Sequence, residues 1–397
     1  MNECEVLRNT AVAVVGDRIG AVGELASLRE QFRDSAEIDC ARGVLTPGLV
    51  DSHTHAVFGR ARYDEQEMRA AGIGYMEIAA RGGGIHSSVR DLRSRSEEEL
   101  VSLARVRLER LASYGTTTVE VKSGYGLSVA DELKTLRVIA RLAHELPMRI
   151  VATFLGAHEI PLEFRESAKL RQSYVEAIVS EMMPRIASEH LASFVDVFCE
   201  TGVYTISETR QILEAARQNG LQLKLHADEL TSCGGAELAA EMRATSADHL
   251  AAVSDSGIKA LAGSNTVATL LPGTMLFLGK ESRAPARKLI EAGVPVALAT
   301  DFNPGTSPTP NLPLILTLGV SQLRLSASEA MIAATVNGAA ALGLADAVGQ
   351  LRPGFSADLA LFDMQDFREL PYWYGDRRCL GTWVRGKSCY PRHLQLS

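Results

Sequence analysis

The sequence is organised around an apolar run that ends in two histidines, and this run reads Val44-Leu45-Thr46-Pro47-Gly48-Leu49-Val50-Asp51-Ser52-His53-Thr54-His55. Its β-branched and leucine residues predict a buried strand, and residues two apart on a strand point to the same side. His53 and His55 would therefore face one point at the carboxyl end of that strand. The pair predicts half of a metal site, whose other ligands have to come from distant parts of the chain.

Apolar, β-branched runs recur along the middle of the chain, at 45–50, 117–121, 148–155, 194–199, 221–225, 245–248, 266–271 and 294–299. Helical patterns separate most of them, from 97 to near 115 and at about 130–146, 166–190, 207–219, 234–241, 283–293 and 327–342. Eight strands that alternate with helices predict an α/β protein whose parallel sheet closes into a (β/α)8 barrel. An open, doubly wound sheet is the alternative, although Gly82-Gly83-Gly84 lacks the strand-turn-helix context of a phosphate-binding loop.

The two ends of the chain show a different pattern, with short strands and glycine turns. Strands are predicted at 10–15 and 18–23 near the start, and at 357–363 and 379–387 near the end. Neither end has enough strands to bury a core alone, so we expect the two to join in one small β-sandwich domain. This predicts domain segments at 1–46 and 347–397 for the small domain, and a barrel over 47–346.

Composition excludes several functions. The 397 residues carry a net charge of −7 and no basic run, which argues against nucleic-acid binding. No stretch of about 18 apolar residues indicates a transmembrane helix, and no basic segment precedes an apolar one at the N-terminus as in a signal peptide. The six cysteines form no Cys-x-x-Cys pair and no dense disulfide framework, as in proteins of the reducing cytoplasm, so we expect a cytoplasmic protein. The charge and the hydropathy pattern add the expectation that it has no nucleic-acid or membrane partner.

Polar residues gather where the predicted strands end, which is where barrel enzymes carry their catalytic groups. These residues are His53, His55, His158, His226, Glu229, His249 and Asp301. Imidazole nitrogens combined with a carboxylate suit zinc or iron, so His53, His55, His226 and Asp301 are predicted ligands. Such an ion lowers the pKa of bound water and polarises a carbonyl oxygen, as hydrolysis of a C–N bond requires. Glu229 and His249 could then move protons.

Several motifs in order along residues 47–305 narrow the interpretation. They are Pro47 to His55, His55-Ala56-Val57-Phe58-Gly59 with Arg62, Gly82-Gly83-Gly84-Ile85, Glu120 to Leu127, Thr153 to His158, Asp196 to Glu200, Lys224 to Glu229, Ser246 to Leu250 and Ala299 to Gly305. This set resembles the metal-dependent amidohydrolase superfamily and, more narrowly, the imidazolonepropionase family. The resemblance implies hydrolytic ring opening of 4-imidazolone-5-propanoate to N-formimidoyl-L-glutamate in histidine degradation.

The resemblance also implies roles for individual residues and one zinc or iron ion per subunit. The metal ligands would be His53, His55, His226 and Asp301; the catalytic residues would be Glu229, His249, Asp301 and His158; and the substrate-binding residues would be Arg62, Tyr75, Tyr125, His158, Glu229, Asn303, Gly305 and Thr306. Arg62, Tyr75 and Tyr125 would receive the propanoate carboxylate. Lys122 is interpreted as structural, because a single ion needs no bridging ligand. Members of the family are often homodimers, so a homodimer is expected.

Two other interpretations stay open from the residues. The chain could be another cyclic-amide hydrolase or a deaminase of the same superfamily, but a purine would offer no carboxylate to Arg62 and Tyr125. It could also be a metal-free scaffold that has kept the barrel. That hypothesis predicts missing ligands, whereas all four candidate ligands are present.

Overall fold

The structure is a computed structural model that describes residues 4–40, 43–74, 77–78 and 81–391. Its strands are β1 Thr10–Val15, β2 Arg18–Glu24, β3 Val44–Pro47, β4 Leu49–Asp51, β5 Thr116–Lys122, β6 Arg149–Ala157, β7 Phe194–Cys199, β8 Gln222–Ala227, β9 Ser246–His249, β10 Val267–Leu270, β11 Val296–Leu298, β12 Leu359–Phe362, β13 Cys379–Val384 and β14 Lys387–Tyr390. Strands β4 to β11 form one parallel sheet in chain order. The predicted (β/α)8 barrel is thereby confirmed.

The barrel closes through the residues that follow its first and last strands. The amide of His55 donates to the carbonyl of Phe302 at 2.9 Å, and the amide of Asp301 donates to the carbonyl of His53 at 3.0 Å. Thr54 and Phe302 form a parallel bridge between these bonds. Two segments therefore close the sheet, one that carries His53 and His55 and one that carries Asp301.

Most helices cover the outside of the barrel, whereas the first, α1 Leu25–Gln31, packs on β1 and β2. The others are α2 Tyr63–Ala70, α3 Ile85–Ser94, α4 Glu97–Ala112, α5 Val129–Glu145, α6 Ala168–Ala177, α7 Met183–Ser188, α8 Ile206–Gln218, α9 Gly235–Glu241, α10 Asp255–Ala262, α11 Pro272–Phe277, α12 Ala286–Glu291, α13 Leu312–Leu323, α14 Ala327–Ala333 and α15 Val336–Ala340. The expected capping box of α4 is present, with Glu99 bonded to the amide of Ser96. Within the described ranges, none of these helices is long and apolar enough to cross a membrane.

The first predicted strand, 45–50, is two strands in two different sheets. β3 pairs with β12 in an antiparallel four-stranded sheet, whereas β4 pairs with β5 in the barrel. Pro47 and Gly48 lie at the change, and a Cβ on Gly48 would overlap the side chain of Thr117. Only glycine fits where the chain passes this closely from one sheet to the other.

The two chain ends form a small β unit, as expected. The hairpin of β1 and β2 packs on the four-stranded sheet of β3, β12, β13 and β14. Ile19, Leu359, Leu361 and Trp383 are buried between the two sheets. This small apolar core is separate from the large one that surrounds the barrel.

Several helices were not predicted from the sequence patterns, namely α1, α2, α3, α10, α11 and α13. α2 reads Tyr-Asp-Glu-Gln-Glu-Met-Arg-Ala and has little apolar periodicity, while α13 is apolar on all sides because its residues are nearly all buried. Tertiary contacts rather than an amphipathic pattern hold such helices. The predicted helix at 166–190 is α6 and α7 joined by a π-helical turn at Ile178–Met182.

Candidate metal centre and active site

The residues at the carboxyl ends of the barrel strands meet in one place. The imidazole ring centroid of His53 lies 5.3 Å from that of His55 and 4.6 Å from that of His226. His249 lies 5.0 Å from His226, and His158 stacks on His55 at 5.0 Å. Five histidines from four separate parts of the sequence thus line a single cluster, at the strand ends where they were predicted to lie.

The ring nitrogens of the histidine pair converge on Asp301. The distance to the Asp301 Oδ1 atom is 3.6 Å from His53 Nε2 and 3.5 Å from His55 Nε2. One donor atom from each of these three buried residues lies within 4.8 Å of the others. His53 Nε2 is a buried atom with no hydrogen-bond partner among the described residues, which a bound cation would satisfy.

Ionisation favours metal binding by this cluster. Burial holds the pKa values of His53 and His55 well below the usual range for histidine, so both rings are neutral and offer lone pairs. Burial also raises the pKa of Asp301 to about 6. A divalent ion would favour the ionised carboxylate, because it places positive charge beside the group. The donor set therefore fits a divalent metal such as zinc or iron.

Two carboxylates orient the histidines from the side opposite the cluster. His53 Nδ1 lies 2.6 Å from Asp248 Oδ2, and His226 Nδ1 lies 3.0 Å from Asp196 Oδ2. Metal-binding histidines typically have such a carboxylate on the second ring nitrogen, which fixes the tautomer and the ring plane. This arrangement distinguishes His53 and His226 as candidate ligands.

His158 and His249 have different partners. His158 Nδ1 lies 3.0 Å from the carbonyl oxygen of Gly124, while His249 Nδ1 lies 3.6 Å from Glu229 Oε2. Both histidines also occur in groups of donor atoms within 4.8 Å, with His55 and His226 or with His53 and His226. Proximity alone therefore leaves the choice of ligands open, and contact with Glu229 suits His249 to proton transfer.

Four of the described non-glycine residues at or just after barrel strand ends adopt left-handed backbone conformations. The φ angle is 48° at Asp228, 75° at His249, 59° at Leu250 and 52° at Asp301. Asp and His tolerate this region better than most residues, but a cluster of them is uncommon and typical of functional sites. The Asp301 carboxylate is further fixed by the Thr274 hydroxyl, which donates to its Oδ2 atom at 2.5 Å.

A nearly buried arginine lies beside the histidine cluster. Arg62 Nη1 donates to Ser88 Oγ at 3.4 Å, and Arg62 Nε lies 3.3 Å from Glu65 Oε1. The guanidinium passes so close to Gly305 that a Cβ there would overlap it. Positive charge from Arg62 also acts on Tyr125, although burial is the larger effect and raises the pKa of that phenol overall.

The loop after β11 supplies the remaining predicted residues. Asn303 Oδ1 accepts from the amides of Gly305 and Thr306, each at 2.8 Å, and Asn303 Nδ2 donates to the Asp301 carbonyl at 2.7 Å. Asn303 therefore holds the loop against the candidate ligand. Tyr75, the other predicted contact of the substrate carboxylate, lies outside the described residues.

Glu132 organises the loop that presents Tyr125, and sequence analysis did not single it out. Its buried carboxylate accepts from the amides of Gly126 at 2.8 Å, Leu127 at 2.9 Å and Gly124 at 3.2 Å. Three otherwise unpaired amides thus share one side chain from α5. The spacing carried a weak signal, since an acidic residue in the first turn of a helix often bonds backbone amides.

We expect Glu132→Gln to destabilise the fold and loosen the loop at once. The Gly124 amide lies 3.2 Å from both carboxylate oxygens, so the new Nε2 donor would face a buried backbone donor, at a cost of about 1–3 kcal/mol. Urea unfolding measures the loss, and the KM for substrate should rise with it because Tyr125 is displaced.

Glu145→Gln, at the exposed far end of α5, is the control. It weakens surface ion pairs with Arg105 and Arg141, so it should cost much less stability than Glu132→Gln and leave KM unchanged. Wild-type unfolding and KM in Glu132→Gln would contradict this role.

Sequence analysis gave no role to four charged residues on the barrel strands and interpreted a fifth, Lys122, only as structural; the four are Glu120, Asp196, Lys224 and Asp248. All five are fully buried and lie on β5, β7, β8 and β9. Each was visible as a charge within an apolar strand, which is uncommon unless the charge is paired. Their partners could not be inferred, because they lie on different strands that are far apart along the chain.

Comparison with known proteins defines the class first. The model of the amidohydrolase family matches residues 81–390. A 5-methylcytosine deaminase from Klebsiella pneumoniae superimposes with a TM-score of 0.76 at 20% identity, covering 98% of this chain and 96% of that one. An adenosine deaminase from Xanthomonas campestris with bound zinc gives 0.73 at 19% identity, covering 97% and 89%. The chain belongs to the amidohydrolase family, and these two structures share its fold.

Curated relatives place the chain more narrowly within that family. Imidazolonepropionases of Bacillus cereus strain G9842 and Bacillus anthracis are 44% identical to it over 395 residues, which is 100% of this chain and 92% of each relative. Within the amidohydrolases, it is a member of the imidazolonepropionase family.

Proposed function

We propose that this protein hydrolyses 4-imidazolone-5-propanoate to N-formimidoyl-L-glutamate. The observation that carries the substrate is the nearly buried Arg62 guanidinium beside the histidine cluster, held against Gly305. Glu65 lies at the Nε atom of this guanidinium, so the propanoate carboxylate would bind at the two terminal nitrogens, which form a bidentate donor. The 44% identity to imidazolonepropionases over the whole chain supports the same substrate.

His53, His55, His226 and Asp301 would hold one divalent zinc or iron ion. The set combines three imidazoles with one carboxylate, which both metals accept. When bound, the ion would polarise the ring carbonyl and activate a water molecule for attack. The roles of the protein residues are then to place the ring, to exclude other water and to move protons.

Substrate placement falls to the residues around the arginine. Arg62 and Tyr125 would take the carboxylate, together with Tyr75, while Asn303, Gly305 and Thr306 would form the adjoining wall. A side chain at 305 would occupy the guanidinium position, so glycine here keeps Arg62 within reach of the site. His158 would face the ring from the opposite side, because Gly124 engages its Nδ1 atom and leaves Nε2 toward the cluster.

Proton transfer would fall to Glu229, His249 and Asp301. Burial, followed by the nearby Asp301 charge, raises the pKa of Glu229 to about 8. Glu229 Oε2 lies 3.6 Å from His249 Nδ1, so the two side chains form one acid–base pair at the cluster. In this scheme Asp301 accepts a proton from the attacking water, and Glu229 with His249 protonates the ring nitrogen that leaves.

Purified protein tests the proposal directly. Metal analysis should give about one zinc or iron per chain, and freshly made 4-imidazolone-5-propanoate should lose its absorbance with formation of N-formimidoyl-L-glutamate. Guanine, adenosine and a hydantoin are assayed in parallel. Turnover of one of these, with none of the imidazolone, would replace the proposal by the deaminase or cyclic-amide alternative.

Arg62→Met should weaken substrate binding without removing metal. Loss of a charged hydrogen-bonding partner costs about 2–3 kcal/mol, which is roughly a 30- to 150-fold fall in kcat/KM. We expect most of it as a higher KM, while zinc content stays at the wild-type level. Arg60→Met is the control, since Arg60 is exposed and pairs with Asp64 at 3.3 Å. An unchanged KM in Arg62→Met would remove the arginine from the site.

We further propose a cytoplasmic homodimer and the domain segments 1–46 with 347–397 and 47–346. The family resemblance supports the dimer, and the separate apolar core of the terminal strands supports the division. Light scattering of purified protein measures the assembly, and a monomer at micromolar concentration would contradict it.

A further inference from the structure

Five charged side chains that are fully buried lie close together on the barrel strands, behind the histidine cluster. Three are carboxylates, Glu120, Asp196 and Asp248, and two are ammonium groups, Lys122 and Lys224. Each buried charge costs several kcal/mol in desolvation unless it is paired. Each of these charges therefore needs a partner of opposite charge, and the two lysines differ in the carboxylates that they contact.

Lys122 lies between the two carboxylates that orient histidines. Its Nζ atom is 2.7 Å from Asp196 Oδ2 and 3.7 Å from Asp248 Oδ2. These same two oxygen atoms contact His226 Nδ1 at 3.0 Å and His53 Nδ1 at 2.6 Å. One ammonium group is thus linked, through one oxygen of each carboxylate, to two candidate metal ligands from different strands.

Lys224 is linked differently. Its Nζ atom donates to Glu120 Oε2 and to the Ser52 carbonyl oxygen, each at 2.9 Å, and lies 3.8 Å from Asp248 Oδ2. Among the ion pairs of the described residues, Lys224 has none with Asp196. Lys122 Nζ also lies 2.9 Å from Glu120 Oε2, so the two lysines share their burial, their charge, Glu120 and a long contact with Asp248. They differ in the contact with Asp196, which only Lys122 has among the described ion pairs.

We propose that Lys122 is a positioning residue that fixes the orientation of His53 and His226 for metal binding through Asp248 and Asp196. The inference rests on the proposed metal ligands and assigns Lys122 a role beyond a structural ion pair. Without the ammonium group, Asp196 and Asp248 would repel each other across the barrel, and the histidine rings would turn with them. A rotated ring directs its Nε2 lone pair away from the other ligands.

The direction of the effect separates positioning from simple electrostatics. Removal of a nearby positive charge should by itself tighten binding of a divalent cation, since like charges repel. Positioning predicts the opposite for Lys122. Residues that orient metal ligands typically change metal affinity by about 10- to 100-fold when replaced.

The test compares Lys122→Met with Lys224→Met in the full-length, metal-free protein. The zinc Kd is measured by competition with a chromophoric chelator, and the cobalt-substituted proteins are compared by visible absorption. We expect the zinc Kd of Lys122→Met to rise about 10- to 100-fold and its cobalt spectrum to change, whereas Lys224→Met stays within about threefold of wild type or binds more tightly. Equal Kd values for the two variants, or tighter binding by both, would overturn the proposal.

Stability is measured separately, because either variant leaves a buried carboxylate with fewer partners. Thermal unfolding of the metal-free proteins reports that cost, which we expect in both variants. If Lys122→Met does not fold, Lys122→Gln and Lys224→Gln replace the pair and the same difference in Kd is required. Failure of wild-type protein to bind zinc would instead refute the proposed metal centre, so the two failures are distinct.

Discussion

His226→Ala should remove the metal and the activity together. His226 is the candidate ligand from β8, and its backbone amide and ring both contact Asp196, at 3.0 Å each. Burial lowers the pKa of His226, but the charge and hydrogen bond of Asp196 outweigh burial and raise that pKa overall. A truncated side chain would leave the proposed ion with three of its four proposed ligands, and Asp196 without its histidine.

We expect zinc affinity to fall by more than about 100-fold, since even residues that only orient a ligand are worth roughly 10- to 100-fold. Dialysed protein should then contain little metal, and ring opening should fall in proportion to metal content. Metal analysis and the imidazolone absorbance assay are run on the same sample. His144→Ala, on the exposed end of α5, is the control for loss of an imidazole. Full turnover with stoichiometric metal in His226→Ala would refute the ligand assignment.

Most of the barrel strands could be predicted, because each is a short apolar, β-branched run and helical patterns separate most of these runs. All eight predicted runs correspond to barrel strands, and the hairpin at 10–15 and 18–24 was also found. The prediction failed where one run served two sheets, at β3 and β4. An apolar run has no internal mark of which sheet it joins, and Gly48 could have been read as an ordinary turn residue.

The strand ends of the barrel identified the cluster for a geometric reason. Parallel strands in a closed barrel bring their carboxyl ends to one face, so the sequence positions of His53, His226 and Asp301 by themselves implied proximity. No comparable rule predicts which buried charged residues contact these histidines. Contact between His53 and Asp248 joins residues 195 apart, and strand register sets which interior side chains meet. Glu132 and Lys122 therefore gained their roles only from the three-dimensional arrangement.

Glu229→Gln should abolish most of the activity while it preserves metal binding. The side chain is nearly buried at the end of β8 and its carboxyl group faces His249. Glutamine has the same shape, but it neither accepts nor delivers a proton near neutral pH. A positioned general acid or base contributes about 10²- to 10⁴-fold to rate, so we expect kcat to fall by that factor. KM should change much less, since the amide still fills the pocket.

The proton-transfer role is separable from a metal or folding defect by two further measurements. Metal content and thermal unfolding of Glu229→Gln should match wild type, because Glu229 is not among the proposed ligands. Glu237→Gln, on α9, makes the same chemical change away from the cluster, where Glu237 accepts from Ser254 and Ser256. We expect this control to keep its kcat. A wild-type kcat in Glu229→Gln would leave His249 or Asp301 as the proton carrier, whereas loss of metal in that variant would make Glu229 part of the metal site.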